Sequence, residues 1–315
     1  MSRTMPDAAG GPDVAADAAE AGAFVPAPRR AHRSELLLAW QAMAQDRLAL
    51  AGIVIVLAVV LLALLASWLS PYDPNVASPT ASRLAPPLTP GHVLGTDGQG
   101  RDILSRLIWG GRVSIPIALA PIVTSSVVGL VLGLIAGYFG GIVSALIMRS
   151  LDVVFAFPGV LLAVAVAAIL GPGMMNVMLA MSIVLLPYIT RIVYVETVNT
   201  FNRDFVDAAQ VCGTSDFKIL YREVLPNVAS PVIVYGTTSL GGMLVLAAGL
   251  SFLGAGVQPP TSDWGIMASD GRVVLKTAPW VSLIPGVVIV VVAVACSFVG
   301  DAVRDALDPR QRTRR

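Results

Sequence analysis

The stretch Phe201–Val228, FNRDFVDAAQVCGTSDFKILYREVLPNV, is polar and lies between apolar runs in the second half of the chain. It predicts a helix, a break and a second helix. Small or apolar residues recur at helical spacing before the break, at Phe201, Phe205, Ala208, Ala209 and Cys212. Gly213 interrupts this pattern, and Ser215 is placed to cap the second helix.

The second predicted helix carries an apolar stripe, and we expect Pro226 to end it. The stripe consists of Phe217, Leu220, Tyr221 and Val224. Together the two helices form an amphipathic hairpin on one side of a membrane. The small residues of this hairpin, at Ala208, Ala209 and Gly213, would let the surface of another protein approach the backbone closely. The alternative is an ordinary amphipathic loop that lies on the bilayer.

The composition is typical of a membrane protein, because 56% of the residues are hydrophobic and only 13% are charged. A net charge of +1 gives nucleic-acid binding no electrostatic support. Cys212 falls in the polar loop and Cys296 in an apolar run, so we expect no disulfide. The cysteines do not cluster with His32 or His92 as metal ligands, and we predict neither a metal site nor a bound cofactor.

Six apolar runs are about long enough to cross a bilayer. They are Leu48–Leu69, Val113–Phe139, Leu151–Leu170, Val177–Tyr194, Val228–Leu250 and Val281–Val299. For the first run we favour a retained helix over a cleaved signal, because a long polar tail precedes it. Glycines recur within the runs, at Gly129, Gly133, Gly137, Gly241 and Gly242, and predict close helix packing.

The distribution of Lys and Arg predicts the orientation of these spans. An even number of spans places both termini on one side. That side would hold Arg29, Arg30, Arg33, Arg47, Arg149, Arg191, Arg203, Lys218, Arg222, Arg304, Arg310, Arg312, Arg314 and Arg315. The other side would hold Arg83, Arg101, Arg106, Arg112, Arg272 and Lys276. We therefore predict cytoplasmic termini and a cytoplasmic loop at Asp207–Pro226.

Two turn-rich stretches fall on the predicted extracytoplasmic side. His92–Arg106 contains Gly95, Asp97, Gly100, Arg101 and Asp102 but lacks the spacing of a phosphate-binding loop. After it, Asp102–Trp109 predicts a short amphipathic helix with Ile103, Leu104, Leu107 and Ile108 facing the membrane. Leu250–Gly265 contains Gly254, Gly256, Pro259, Trp264 and Gly265. Trp264 and Trp280 are placed like interfacial anchors.

The chain ends in a fourth motif, Gly300–Arg310, which contains Gly300, Asp301, Arg304 and Asp308. Arg304 and Asp308 are four residues apart, a spacing that would support a short helix leaving the membrane. Each motif taken alone is also explained as a cap at the membrane surface.

The polar loop resembles the "EAA" loop of ABC-importer permeases. The matching residues are Asp207, Ala208, Ala209, Gly213, Leu225 and Pro226, followed by Asn227. The acid is Asp rather than the usual Glu, and Glu223 stands where an apolar residue is frequent. With the other three motifs in order, about Leu36 to Arg310 is similar to the DppC/OppC-like permease subunits of dipeptide, oligopeptide and nickel ABC importers.

The resemblance implies an all-α membrane protein with six transmembrane helices and the type I ABC importer permease fold, in the bacterial inner membrane. It implies four kinds of partner: a second homologous permease, two cytoplasmic ATPase subunits that use the ATP, an extracytoplasmic substrate-binding protein and membrane lipid. We assign residues 1–35 to a disordered cytoplasmic tail and 36–100 to an N-terminal region with the first helix and an extracytoplasmic loop. Residues 101–310 form the permease domain, with an ATPase-coupling loop at 201–227, and 311–315 form a tail.

Three functions remain to be compared. In the first, the chain is half of a translocation pore that takes up peptides, with nickel or another small solute as the alternative substrate. The second is an intramembrane enzyme, but the sequence has no hydrolase or zinc-protease motif. Its one candidate acid, Asp152, has Arg149 one turn back as a simple partner. The third is a receptor or scaffold without transport.

Overall fold

The computed structural model describes residues 46–78 and 82–307. Helices supply the regular structure of these residues. In chain order they are α1 (Arg47–Leu64), α2 (Ala66–Leu69), α3 (Ile103–Phe139), α4 (Gly141–Phe155), α5 (Gly159–Leu170), α6 (Met174–Phe201), α7 (Asp204–Val211), α8 (Asp216–Ile219), α9 (Leu225–Phe252), α10 (Trp264–Arg272) and α11 (Trp280–Leu307). A single π-helical turn, Leu220–Val224, joins α8 to α9. The predicted tails, 1–35 and 311–315, lie outside the described residues.

Among the described residues, five helices are long and apolar enough to cross a membrane, and a sixth span results if the bent pair α4 and α5 counts as one. The all-α membrane fold is therefore confirmed. The orientation of the termini stays a prediction. Three spans are longer than expected, because α3 begins at Ile103, α6 continues to Phe201 and α11 continues to Leu307.

The amphipathic helix expected at Asp102–Trp109 is the first part of α3 rather than a separate element. The expectation that its apolar side chains face the membrane was wrong for Ile103 and Leu107. Both are buried in a cluster with Trp264 of α10. The helix continues through Pro116 and Pro121, because the bundle around it can satisfy the carbonyls that proline leaves free.

The run expected to form one straight span at Leu151–Leu170 is broken. α4 and α5 meet at an angle of 90° across Ala156–Pro158. Proline disfavours the helical conformation of the residue before it, and Pro158 takes the N-cap position of α5. The break follows from this proline.

Glycines set the distance between α3 and α6. Added Cβ atoms at Gly133 and Gly137 would lie 2.5 Å from side-chain atoms of Val193 and Thr197. Such distances are too short for any larger residue, so the predicted close packing of glycines is confirmed for these helices. Gly241 likewise packs against the Ala293 carbonyl of α11, whereas Gly242 has open space beside it.

Helices α3 and α6 run parallel to each other and α9 runs in the opposite direction, and the bundle has two distinct ends. At one end, the Tyr138 ring of α3 contacts the Phe201 ring of α6 at 5.5 Å between centroids. We call this the loop end, because it carries residues 202–224. At the other end, the Gly173 N–H before α6 donates to the Ala255 carbonyl after α9, at 3.3 Å. We call this the cap end, because it carries residues 70–102 and 253–279.

Candidate functional site

The polar loop of the sequence forms a helix, a turn and a helix at the loop end. We call residues 202–224 the coupling segment. Its core-facing side chains, Val206, Ile219 and Val224, are fully buried against the ends of the long helices. The predicted helix–break–helix order is confirmed, but Phe201 was wrongly placed with the first short helix. Phe201 ends α6, and α7 begins only at Asp204.

The turn between α7 and α8 depends on Gly213, whose φ of +74° is costly for residues with a Cβ. The Gly213 N–H donates to the Gln210 carbonyl at 2.9 Å, and the Thr214 N–H donates to the Ala209 carbonyl at 3.0 Å. These two bonds are the Schellman arrangement that closes a helix at glycine. The glycine is therefore required by the backbone of the turn. An added Cβ at this position meets open space.

The outward face of the coupling segment carries large apolar side chains that the described residues leave exposed. Val211 is 89% exposed and Phe217 is 82% exposed, and Tyr221 and Phe205 are also exposed. Asp207 and Ala208 lie on the outside of α7, whereas Ala209 is half-buried. Large apolar side chains exposed beside small ones are typical of a surface that binds another protein. The predicted stripe was thus partly wrong, since Phe217 and Tyr221 point away from the core.

Pro226 does not end the second helix, contrary to the expectation from the sequence. Leu225 and Pro226 are the first two residues of α9, and the helical backbone passes through them from Asp216 to Phe252. The Leu225 N–H donates to the Leu220 carbonyl, five residues back, so this turn is wider than an α-helical turn. A wide turn leaves room for a proline ring, which in an α-helix meets the carbonyl four residues before it.

At the cap end, charged side chains of the predicted motif form a buried network. The Asp97 carboxylate accepts bonds from Arg101 Nε at 2.7 Å and from Arg106 Nη1 at 2.6 Å. Asp270 of α10 lies 3.5 Å from Arg101 and 3.7 Å from Arg106. Arg106 Nε also donates to Ser262 Oγ at 3.3 Å. The network joins two motifs that are far apart in the sequence.

Asp102 is part of a second buried group at the start of α3. Its carboxylate caps the helix by accepting the Ser105 N–H at 2.8 Å. The other oxygen lies 2.8 Å from His92 Nδ1, and the His92 ring stacks on Tyr72 at 4.7 Å. Buried carboxylates need such partners, and here they fix the loop before α3 to the end of that helix.

Trp264 is a core residue, so its interpretation as an interfacial anchor was wrong. The side chain is buried, and the indole N–H donates to the Leu107 carbonyl at 2.9 Å. The residue before it, Asp263, caps α10 and accepts the Ser114 hydroxyl at 2.6 Å. α10 is therefore held against α3 by polar bonds as well as by the tryptophan.

The predicted glycines and proline of the cap end differ in how closely other atoms pack against them. A Cβ added at Gly95 would lie 2.3 Å from the Ala85 carbonyl oxygen, and a Cβ added at Gly265 would lie 2.4 Å from the Ala248 carbonyl oxygen. Both positions therefore exclude larger residues. The remaining predicted residues at this end are Gly100, Gly254 and Gly256, together with the exposed Pro259.

The C-terminal motif has one packing residue among those described. An added Cβ at Gly300 would lie 2.6 Å from Thr238 Cα, so the glycine lets α11 approach α9. Asp301 and Arg304 are exposed on the last turns of α11. Asp308, and with it the predicted Arg304–Asp308 pair, lies outside the described residues.

Sequence reasoning did not single out four polar residues of the cap: Ser114, Ser262, Asp263 and Asp270. Asp263 is a recognisable cap, since it precedes an apolar helix start. The pairing of Ser114 with Asp263 spans 149 residues, and no local pattern indicates it. Within residues 46–78 and 82–307, no group of three or more His, Cys, Asp or Glu side chains is arranged to hold a metal ion.

Comparison with protein families gives two matches. The family described as "Binding-protein-dependent transport system inner membrane component" matches residues 129–313. The family described as "N-terminal TM domain of oligopeptide transport permease C" matches residues 34–87. Together these ranges include the coupling segment and the C-terminal motif.

Individual curated proteins match over most of their length. The chain is 41% identical to a di/tripeptide transport system permease protein of Pseudomonas aeruginosa, over 90% of this chain and 95% of that protein. It is 37% identical to a dipeptide transport system permease protein of Haemophilus influenzae, over 86% and 93%. It is 38% identical to a glutathione transport system permease protein of Escherichia coli, over 86% and 89%.

Proposed function

Because the chain belongs to the family of binding-protein-dependent transport system inner membrane components, we propose that it forms one half of a translocation pathway whose other half is a second, homologous permease subunit. The chain is a multi-pass inner-membrane permease subunit of an ABC importer in the peptide transport family, and it is not itself catalytic. Such a subunit works with a substrate-binding protein and with ATPase partners.

The importer would have two cytoplasmic ATPase subunits. One of them would act on this chain, and the coupling segment is the surface that it would contact. The observation that supports this role is the exposed apolar face of Val211, Phe217 and Tyr221 beside the exposed Ala208. The segment is fixed from beneath by Val206 and Ile219, so a force applied to it reaches the long helices. A flexible loop on the bilayer would lack this buried anchorage.

Coupling then consists of a population shift between two states of the bundle. ATP-driven closure of the partner ATPases would press on the coupling segment. The pathway changes from outward-facing to inward-facing because the ATPases contact the two states differently. In this proposal the chain itself binds no cofactor, and the ATP belongs to its partners.

The proposed substrates are short peptides. The relatives carry names for di/tripeptide, dipeptide and glutathione transport, and these names support a peptide for this chain too. Nickel or another small solute is the second candidate, which the family resemblance of the sequence leaves open. The substrate-binding protein would deliver the substrate at the cap end, where the buried ion-pair network holds the docking surface in one conformation.

The substrate is tested by transport into proteoliposomes. The complete complex, with its binding protein and ATPases, should accumulate a radiolabelled dipeptide only when ATP is supplied. Unlabelled di- and tripeptides should compete, whereas Ni²⁺ should not. Accumulation of Ni²⁺ without accumulation of peptide would instead support the second candidate.

The coupling surface is tested at Ala208, because that side chain points outward without supporting the fold. Ala208→Arg places a charge in a partly dry contact, where an unpaired charge costs several kcal/mol. We expect loss of ATPase association and of uptake at a normal membrane level. Ala208→Ser keeps the small size and should retain both. Ala209→Arg and Gly213→Glu should also block docking, but they disturb a half-buried site and a strained turn as well.

If Ala208→Arg accumulates normally, binds the ATPases and supports uptake, the coupling segment is only a surface helix and the proposal fails.

A further inference from the structure

An ion pair lies at membrane depth between α4 and α6. Asp152 of α4 contacts Arg191 of α6, and Arg149 Nη1 is 3.7 Å from the same carboxylate. Arg191 is ten residues before Phe201, the last residue of α6, which corresponds to about 15 Å along the helix. α6 has 28 residues and is therefore about 42 Å long, against a hydrocarbon core of about 30 Å. With the hydrocarbon core centred on α6, the pair lies about 9 Å inside its loop-end boundary.

The other described residues cover this pair only in part. The side chain of Asp152 is 39% exposed and that of Arg191 is 45% exposed. Charged side chains at this depth are costly in contact with lipid, and they face the interior of a bundle or a water-filled cavity. This face of α4 and α6 is therefore expected to be turned away from lipid.

The break between α4 and α5 gives a second indication of a cavity. Ala156, Phe157 and Pro158 interrupt the helix, and all three are exposed. Irregular backbone at membrane depth is tolerated only where it is buried in protein or lines a water-filled cavity. The described residues of this chain leave the break exposed, so in the complex it faces either the partner permease or a water-filled cavity, and the charged pair beside it favours the cavity.

The break and the ion pair belong to one surface. Phe155, the last residue of α4, lies under the Arg191 guanidinium at 4.6 Å and against the Tyr188 ring at 4.6 Å. Tyr188 in turn stacks on Tyr235 of α9 at 6.4 Å. Three helices thus present charged and aromatic groups around the exposed break.

We propose that this surface lines the aqueous translocation path and that the Asp152–Arg191 pair holds the charged ends of a peptide in transit. Arg191 would bind the terminal carboxylate, and Asp152 would bind the terminal ammonium group. A zwitterionic peptide replaces the pair charge for charge, so no net charge is added at membrane depth. The proposal rests on the proposed peptide-importer function and adds the residues that meet the substrate.

Cysteine labelling tests whether the surface is wet, whatever the substrate. Phe157→Cys is made in a Cys212→Ser background, where the remaining Cys296 is buried, and the complete complex is treated with a charged, water-soluble methanethiosulfonate. Leu57→Cys is the matched control, since Leu57 is 55% exposed and lies ten residues from the first residue of α1. We expect modification at position 157 and none at position 57. Equal protection of both positions, with and without ATP, would overturn the proposal.

Transport tests the role of the pair. Arg191→Gln should lower the maximal rate of dipeptide uptake about tenfold, because a charged hydrogen bond to the passing carboxylate is lost. The half-saturating concentration should change little, since the binding protein captures the peptide before it reaches this site. Arg191→Lys keeps the charge and should recover part of the rate. A normal maximal rate in Arg191→Gln would contradict the proposal.

Charge reversal separates a substrate contact from a structural ion pair. Asp152→Arg combined with Arg191→Asp restores a pair of opposite charges but reverses its direction, and we expect uptake to stay low at a normal membrane level. Normal uptake by this double variant would mean that the pair only stabilises the bundle. If the wild-type complex imports a different solute, the peptide function fails, while the labelling result still decides whether the surface lines a path.

Discussion

Replacing Asp97 with asparagine should destabilise the cap more than any other single charge change in it. The Asp97 carboxylate is the common partner of Arg101 and Arg106, whose side chains are only 3% and 1% exposed. The asparagine oxygen would still accept the N–H groups of Gln99 and Arg101, but its NH2 group would stand where Oδ2 accepts from both guanidinium groups, so the change removes the charge and two hydrogen bonds. Two buried guanidinium groups would then share the more distant Asp270.

The magnitude follows from this geometry. Removing one partner of a buried ion pair costs about 3–5 kcal/mol. Asp270, at 3.5 and 3.7 Å, offsets part of this loss, so we expect about 3 kcal/mol for Asp97→Asn. Asp270→Asn is the matched control. Its side chain is 37% exposed, and removing an exposed partner costs about 1 kcal/mol or less.

The buried Cys296 provides the assay. In a Cys212→Ser background, a thiol-reactive dye labels Cys296 only when the bundle unfolds. The fluorescence of the bound dye during heating gives the midpoint temperature of thermal unfolding. At about 2 °C per kcal/mol, Asp97→Asn should lower the midpoint by roughly 6 °C and Asp270→Asn by roughly 2 °C or less. If the two variants melt together, the buried network does not hold the cap, and our account of the motif is refuted.

Three further predictions concern topology, catalysis and the turn. Thr261→Cys should be labelled from outside the cell and Ser215→Cys only from inside, in a Cys212→Ser background; Thr261 is chosen because it is exposed, whereas Ser262 is buried, and labelling of both from outside would disprove the six-span topology. The purified subunit without its partners should not hydrolyse ATP, because its sequence has no phosphate-binding loop. Hydrolysis by partner-free protein would contradict the prediction that this chain is not catalytic. Gly213→Ala should cost about 1 kcal/mol at a φ of +74° and make the coupling segment more sensitive to protease at an unchanged membrane level, and unchanged protease resistance would argue against the turn that we describe.

The sequence predicted the coupling segment well because its signals are local. Helical spacing and Gly213 indicate a helix, a turn and a helix without any knowledge of distant residues. The end of the second helix was predicted wrongly, because proline usually interrupts a helix. The wide turn at Leu220–Val224 that accommodates Pro226 leaves no recognisable mark in the sequence.

The cap was only half predictable. Its turn residues and its Asp97–Arg101 spacing can be read locally, but its cohesion comes from contacts such as Arg106 with Asp270 and Trp264 with Leu107. Such contacts join residues that are more than 150 positions apart. A tryptophan at a span end fits an interfacial anchor and a core residue equally well, and only the packing of α10 on α3 distinguishes them.

The charged surface between α4 and α6 was also missed, although Asp152 was noted. The sequence predicted Arg149 as the partner of Asp152, and the structure contains that contact. Arg191 of another helix, however, lies closer to the Asp152 carboxylate. Pro158 gave a local signal for the break. A proline within an apolar run is common in membrane helices, however, and the angle between the two halves depends on the helices around them.

The helical backbone is continuous from Asp216 to Phe252, through the π-helical turn, and in the proposed coupling it would act as a lever. It has 37 residues and is about 55 Å long, so a tilt of about 10° about one end moves the other by nearly 10 Å. Phe217 and Tyr221 lie at its loop end, and at its cap end the Phe252 carbonyl accepts the Ser269 hydroxyl of α10 at 2.9 Å. Under the proposed coupling, a small rotation imposed at the loop end would be amplified along this helix and transmitted to the cap, and a substitution that lets the helix bend would reduce that amplification.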